Sequence, residues 1–305
     1  MAPDPKRLLE LLQIAKHGSY TRAAAAQGIS QPALSNSIAV LERSLGVRLL
    51  DRTRHGATLT DFGRLLASHA EGLDALLARA SEDVRLKKLG MEGSLAVGIS
   101  PVASVELVPN AIARVKHETP DISVRIYERP DDQLLESLRS GEIDAMVSPA
   151  GLLTDPPDVQ RETLLRDVAV VIVAPRSPWA RQKTISLGQL RDAQWILPDA
   201  HTAMWRHIEV LFTAANVPWP VSFVSTNSIA ALKALVMSGD GVSISSSRLM
   251  KLEIAAGYLA AIPLSKPRFP REITLRTRRS IDPTPLLRRF LETLRSVAAE
   301  MRLDR

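Results

Sequence analysis

The 305-residue sequence contains no cysteine. That absence excludes disulfides, thiolate metal sites and any thiol-based redox switch. It also lacks an apolar run near the roughly 18 residues that a membrane-spanning helix needs; the stretch Val168–Ala174 has the length of a buried strand. Met1–Glu10 carries charges but no apolar core and no small-residue cleavage site. No signal peptide is therefore expected, and the expected location is the cytoplasm. Catalytic signatures are missing too. The six histidines, His17, His55, His69, His117, His201 and His207, show no metal-ligand spacing such as HExxH. There is no G-x-S-x-G elbow and no Walker-type lysine loop, and the glycines of Met237–Val242 precede a strand instead of following one. The expectation is a protein that is not an enzyme, with no cofactor and no metal.

What is present is ordinary for a folded chain. Hydrophobic residues make up 45% and charged residues 24%, and the length suits two or three folding units. The net charge of +6 favours a polyanionic partner only weakly. Much of the excess sits in the tail from Lys266 to Arg305, where Arg278, Arg279, Arg288 and Arg289 read as a solvated helix face more than as a second nucleic-acid site.

The strongest local pattern is Ser19–Glu42. Ser19 and Thr21 suit the start of a short helix rich in alanine, and small residues let a second helix approach closely. Gly28 supplies a turn, because glycine takes a positive φ without strain. Ser30 is a ready N-cap, and Pro32 falls in the next helix's first turn, where its missing N–H costs nothing. Leu34, Ile38, Leu41 and Leu45 recur at helical spacing and face a core, leaving Gln31, Ser35, Asn36 and Ser37 outward. Such a short polar face suits the base edges of a DNA major groove. The segment Arg48–Gly56 then carries cations on a β-turn, with Arg52 and Arg54 placed for phosphates or the minor groove. Together these make a winged helix-turn-helix.

On these residues, AAAAQGISQPALSNSIAVLERSLGVRLLDRTRHGATLTDFG, the sequence resembles the LysR-type transcriptional regulators over most of its first 65 positions. It departs from their pattern at Leu11 and Leu12, where an aromatic is usual, and at Asn36-Ser37, which replace longer polar pairs.

From Thr60 to Leu89 there is no proline, and Phe62, Leu65, Leu66, His69, Leu73, Leu76, Leu77, Ala80 and Val84 follow 3–4 spacing. Some 29 residues at 1.5 Å each predict a helix of roughly 43 Å. Its stripe needs a partner, either a second copy of the chain or the chain's own later domain. The resemblance implies the former, with dimerisation spacing two reading heads, a dimer of dimers (a homotetramer) and contact with RNA polymerase. The expected division is 1–59 for the DNA-binding domain, 60–90 for the linker helix and 91–305 for the remainder.

Beyond Gly90 the pattern alternates. Strands are expected at Leu95–Ile99, Ile122–Glu128, Ile143–Val147, Val168–Ala174, Trp195–Leu197, Val221–Val224 and Val242–Ser245. Helices are expected at Val105–Glu118, Asp132–Ser140, Met204–Ala215 and Ser228–Ser238. Alternation of this kind predicts α/β lobes with parallel sheets. Arg271–Thr277 is expected to return to the first half ahead of a last helix from Pro285. The resemblance implies two lobes of the periplasmic-binding type, about 91–163 plus 268–305, and 164–267.

Ligands of open α/β sheets bind beyond the carboxyl ends of the strands. Two loops meet that description. One is Ile99–Ser104, including Ser100, Pro101, Ala103 and Ser104; the other is Leu197–Thr202, including Ala200, His201 and Thr202. Each offers hydroxyls and N–H groups at a helix start, which suits a carboxylate. The resemblance places Ser148-Pro149 and the turn Thr226-Asn227-Ser228 near the same space and implies an aromatic carboxylate as effector. Duller roles stand beside these. Ser100 and Ser104 are equally helix caps, Asp199 reads as an N-cap, His201 as an exposed loop residue, and Trp205, His207 and Trp219 as packing. The expected function is a ligand-responsive, DNA-binding transcription regulator; the alternatives are a cytoplasmic solute-binding protein or an enzyme using the same cleft.

Overall fold

The computed structural model describes residues 3–53, 56–88, 93–150, 154–200, 202–266, 268–279 and 281–303. The chain divides into two compact units, Met1–Gly90 with Arg139–Glu142, and Met91–Leu138 with Ile143–Arg305. Among the described residues no helix is long and apolar enough to cross a membrane.

The first unit begins with α1 (Pro5–His17), whose first turn is capped by the Asp4 carboxylate accepting from Lys6 N at 3.0 Å. Next come α2 (Tyr20–Ala26) and α3 (Gln31–Leu45). Ser19 occupies the N-cap of α2 without a side-chain hydrogen bond. Gly28 takes φ +66° at the turn, and Ser30 Oγ accepts from Ala33 N at 3.3 Å to start α3. Leu34, Ile38 and Leu41 are buried with Leu11, Leu12, Ile14, Ala23 and Ala24, so the two leucines that replace an aromatic are core residues.

A hairpin of β1 (Leu50–Thr53) and β2 (Gly56–Leu59) follows. Glu42 fixes its approach by accepting from Leu49 N at 2.7 Å and Leu50 N at 3.3 Å. Ala57 N donates to Gly18 O at 3.1 Å, and a Cβ at residue 56 would stand 2.2 Å from that same oxygen, at φ +139°. Only glycine fits there.

The long helix α4 spans Asp61–Lys88, with Thr60 Oγ1 accepting from Gly63 N at 3.0 Å at its start. Its apolar stripe is covered only in part. Ala67 and Ala70 are buried and Leu66 packs on the core of the first unit, against α1. Phe62, Leu65, Leu76, Leu77 and Val84 are exposed, each by about half its surface.

The second unit contains two five-stranded sheets. The first has the order β4 (Ile122–Glu128), β3 (Gly93–Ile99), β5 (Ala145–Pro149), β12 (Arg271–Arg278), β6 (Val159–Asp167). The second has the order β11 (Ala260–Pro263), β7 (Ala169–Val173), β10 (Gly241–Ser246), β8 (Gln194–Pro198), β9 (Phe223–Thr226). Helices α5 (Leu107–Glu118), α6 (Asp131–Ser140) and α10 (Pro285–Leu303) belong with the first sheet, and α7 (Ala203–Ala214), α8 (Ile229–Ser238) and α9 (Lys251–Ala255) with the second.

The sheets are mixed, not parallel throughout. β12 runs antiparallel to both β5 and β6, and β7 antiparallel to both β10 and β11. β6, β11 and α9 were not expected from sequence. β6 alternates buried and exposed residues only over its last three positions, so it gives little periodic signal. It stays in the first sheet as far as Asp167, so the change of sheet comes at Val168, beyond the expected 163/164. The strand expected at Val221–Val224 is shifted to Phe223–Thr226, leaving Val221 fully exposed.

Of the tail arginines, Arg278 is no solvated helix residue. It closes β12 and donates to the carbonyls of Leu138 at 2.6 Å and Ile143 at 2.7 Å. Arg289 does lie on an exposed helix face, beside Glu118 at 3.5 Å.

Candidate functional site

Two surfaces carry the residues singled out from sequence. In the first unit, Gln31, Pro32, Ala33 and Asn36 are exposed along the start of α3, with Ser35 half-buried beside them. Ser37 differs from expectation. Its hydroxyl donates to the buried carboxylate of Glu10 on α1, so it braces two helices instead of facing out. Arg52 lies on β1; Arg54 falls outside the described residues.

In the second unit, a cavity of about 310 Å³ opens between the two sheets, large enough for a small ligand. The carboxyl end of β3 leads into a short 3-10 turn, Pro101–Ala103, so the α-helix expected from Val105 starts two residues later at α5. Ser100 precedes that turn but does not cap it with its side chain. The residue is only 6% exposed, lines the cavity, and its Oγ has no hydrogen-bond partner. A buried hydroxyl left in that state costs about 1–3 kcal/mol, which a ligand accepting or donating there would recover.

Opposite it, Thr202 rather than Asp199 is the N-cap of α7. Thr202 Oγ1 accepts from Trp205 N at 3.1 Å and donates to Asp199 O at 2.7 Å. The first N–H groups of a helix have no intrahelical acceptor, which leaves those of Ala203 and Met204 at the cavity wall.

Pro101 and Asn227 also line the cavity. Other expected residues do not. Ala103 is fully buried in the core of the first sheet's lobe, and Ser104 Oγ is spent on Pro101 O at 2.8 Å. Ser148 is fully buried, with its hydroxyl accepting from Arg276 at 2.8 Å. Ala200 is exposed and outside the lining; His201 falls outside the described residues. Trp205 and Trp219 pack ring to ring at 4.8 Å, as expected.

Sequence reasoning missed the charged residues of the cleft. Glu128, Arg129, Asp131 and Arg271 all line it. Glu128 closes β4, a strand end that the carboxyl-edge rule alone points to. Arg271 is brought in by the return of β12 to the first sheet, and it donates to Asp167 at 2.7 Å across the β6–β12 pair. Burial pushes the carboxyl of Asp131 above its ordinary range, against the pull of Arg276, Arg206 and Arg271 and a hydrogen bond from Ser148. Glu128 is raised as well, by burial. His207 Nε2 is buried without a partner. Its pKa falls to about 4, first through burial and then through Arg271, with Asp167 opposing. Among the described residues no group of three acidic or histidine side chains is placed to hold a metal ion.

This architecture has a family. The model of the LysR substrate binding domain matches residues 89–299, and that of the bacterial regulatory helix-turn-helix protein of the lysR family matches residues 6–64. The chain belongs to the LysR family. The SDS degradation transcriptional activation protein of Pseudomonas sp. (strain ATCC 19151) is similar to this LysR-type chain, with 32% identity over 86% of it and 85% of that protein. The crystal structure of CbnR, a LysR family transcriptional regulator, superposes with TM-score 0.67 at 24% identity, covering 97% of this chain and 99% of that one. The effector binding domain of QuiR in complex with shikimate matches with TM-score 0.59 at 18% identity, over 68% of this chain and 98% of that domain. The LysR-type protein described here is thus a DNA-binding transcription regulator with an effector-binding domain, and not an enzyme.

Proposed function

We propose that this regulator reads its operator with Gln31, Pro32, Ser35 and Asn36 in the major groove and with Arg52 and Arg54 on the wing, and that a small organic acid bound between the two sheets controls the outcome. In this reading residues 1–59 form the DNA-binding domain, 60–90 the dimerising linker and 91–305 the effector domain. The protein works in the cytoplasm as a dimer of dimers and addresses RNA polymerase. The exposed face of α4 supports self-pairing, because Phe62, Leu65, Leu76, Leu77 and Val84 are half-exposed large apolar residues, and such a row is ordinarily covered.

The observation that carries the effector reading is Ser100. Its hydroxyl is buried, unpartnered and on the wall of a cavity that also receives the start of α7. A carboxylate there accepts from Ser100 Oγ and from N–H groups at a positive helix end. Pro101 and Asn227 complete its surroundings and Thr202 holds the α7 end in place; His201 is proposed as an adjacent contact. An aromatic carboxylate suits the apolar remainder of the wall, and shikimate in the QuiR domain is itself a ring carboxylate.

Calorimetric titration with benzoate and related acids tests this. Ser100→Ala is expected to weaken binding about tenfold, or 1.4 kcal/mol, with operator binding in the absence of ligand retained. Equal affinity of wild type and variant places the ligand elsewhere.

A further inference from the structure

The cavity that Ser100 lines holds charged groups that the organic-acid reading does not use. Its two arginines are engaged: Arg271 donates to Asp167 at 2.7 Å, and Arg129 donates to Ser137 Oγ at 2.8 Å and lies 4.8 Å from the Tyr127 ring centroid. Its two acids differ in setting: Glu128 is exposed at the cavity rim, and Asp131 is half-buried and accepts a hydrogen bond from Ser148. Among the described residues neither is joined to a basic side chain by an ion pair.

Their placement follows from the fold. Glu128 pairs with Ile99 in the parallel register of β4 and β3, so it stands on the strand next to Ser100, at the same carboxyl edge. Asp131 opens α6 one short turn later.

A helix start alone does not explain Asp131. The positive end of a helix stabilises a carboxylate, and the neighbouring Asp132, which is exposed, already supplies that charge. Asp131 is held in the cavity wall instead, under the more distant influence of Arg276, Arg206 and Arg271, and its anion is disfavoured there by burial. A ligand that is only an anion leaves these two carboxyls without a cationic partner. A ligand that also carries a cationic donor would give those carboxyls charge-assisted hydrogen bonds, which are the stronger kind.

We infer that the effector is an amino acid, with its ammonium group held by Glu128 and Asp131, its carboxylate at Ser100 and the start of α7, and its side chain against Val102, Pro149, Pro198, Met204, Leu232 and Leu249. This rests on the proposed seat of a carboxylate at Ser100. It adds a second anchor, which selects within the organic acids for those bearing an ammonium group.

The test is calorimetric titration of the full-length protein with apolar and aromatic L-amino acids. Each is paired with its deaminated acid, for example L-phenylalanine with 3-phenylpropionate. At least one amino acid is expected to bind tenfold or more tightly than its deaminated partner. The double variant Glu128→Gln, Asp131→Asn should close that gap, and Ser100→Ala should weaken both members of the pair. Thermal melting of each variant verifies that it is folded. Should the variant be unstable, the wild-type comparison of the matched pairs decides alone. Deaminated acids that bind as tightly as the amino acids, yet still lose affinity in Ser100→Ala, leave the carboxylate seat standing and overturn the ammonium site. A panel in which no amino acid binds overturns it as well, and the benzoate titration of Ser100→Ala then judges the carboxylate seat by itself.

Discussion

Ser246 at the end of β10 donates to the carboxylate of Asp167 at the end of β6, at 2.6 Å, with both residues buried. The bond joins the last residue of a strand in one sheet to the last residue of a strand in the other. Asp167 also receives Arg271 at 2.7 Å, and Lys251 of α9 pairs with Glu106 at the start of α5. The two lobes are therefore tied by polar contacts, one of them beside the crossing of the chain at Val168.

Removing the shared carboxylate should be costly. Asp167→Ala leaves Arg271, only about a tenth exposed, without its counter-charge, and breaking one side of a buried pair costs about 3–5 kcal/mol. Ser246→Ala removes one hydrogen bond and should cost about 1 kcal/mol. The four tryptophans lie at Trp179, Trp195, Trp205 and Trp219, all in or against the core of the second sheet's lobe. Urea unfolding followed by their fluorescence reads the loss. Equal midpoints for the two variants would show that Asp167 does not hold Arg271.

At the reading head, Gln31→Ala and Asn36→Ala should relax base preference by roughly 1–3 kcal/mol. Arg52→Ala should weaken binding to all sequences and reduce the salt slope by about one unit. Footprinting on operator variants and a salt titration separate these effects; unchanged base preference in both helix variants would reject the assignment.

Self-pairing of α4 rests on its exposed face. Leu76 and Leu77 are 59% and 48% exposed, so lysine there disturbs the isolated chain little. In a paired helix the same substitutions bury cations without partners, at several kcal/mol. Sedimentation should show the double lysine variant as a monomer, with operator affinity lost. An intact dimer would refute self-pairing through this face.

His207 gives a pH dependence of definite sign. Its folded pKa lies near 4 against an ordinary 6.5, so the unfolded chain binds a proton that the folded chain rejects. Stability therefore falls as pH drops from about 6.5 toward 4, and the residue contributes no slope above that window. With its partial exposure discounted, the loss is on the order of 1–2 kcal/mol. Urea midpoints of wild type and His207→Gln across this range should converge at pH 4 relative to pH 7. Parallel pH profiles would show that the histidine titrates normally.

The sequence by itself determined every feature whose signal is local. Ser30, Pro32 and Gly28 start and stop helices through backbone geometry that needs no distant partner. The spacing of Leu34, Ile38 and Leu41 marks a buried face, and most of the later strands and helices were legible to within two residues because their periodicity is strong. Tertiary structure decided what depends on distant pairing. The antiparallel return of β12 makes the sheets mixed and carries Arg271 to Asp167, 104 positions away. Ser37 looked outward by spacing, yet it is drawn inward by Glu10, 27 positions away. Helix α4 showed one apolar stripe in sequence. Packing against α1 covers Leu66 and Ala70 and leaves Phe62, Leu65, Leu76, Leu77 and Val84 bare. Ser100 stood equally as a cap or a contact until folding left its hydroxyl with no partner, and Asp199 read as the cap that Thr202 provides with a hydroxyl bonded twice. Hydrogen-bond satisfaction and burial are properties of the assembled neighbourhood, and only the folded chain brings that neighbourhood together.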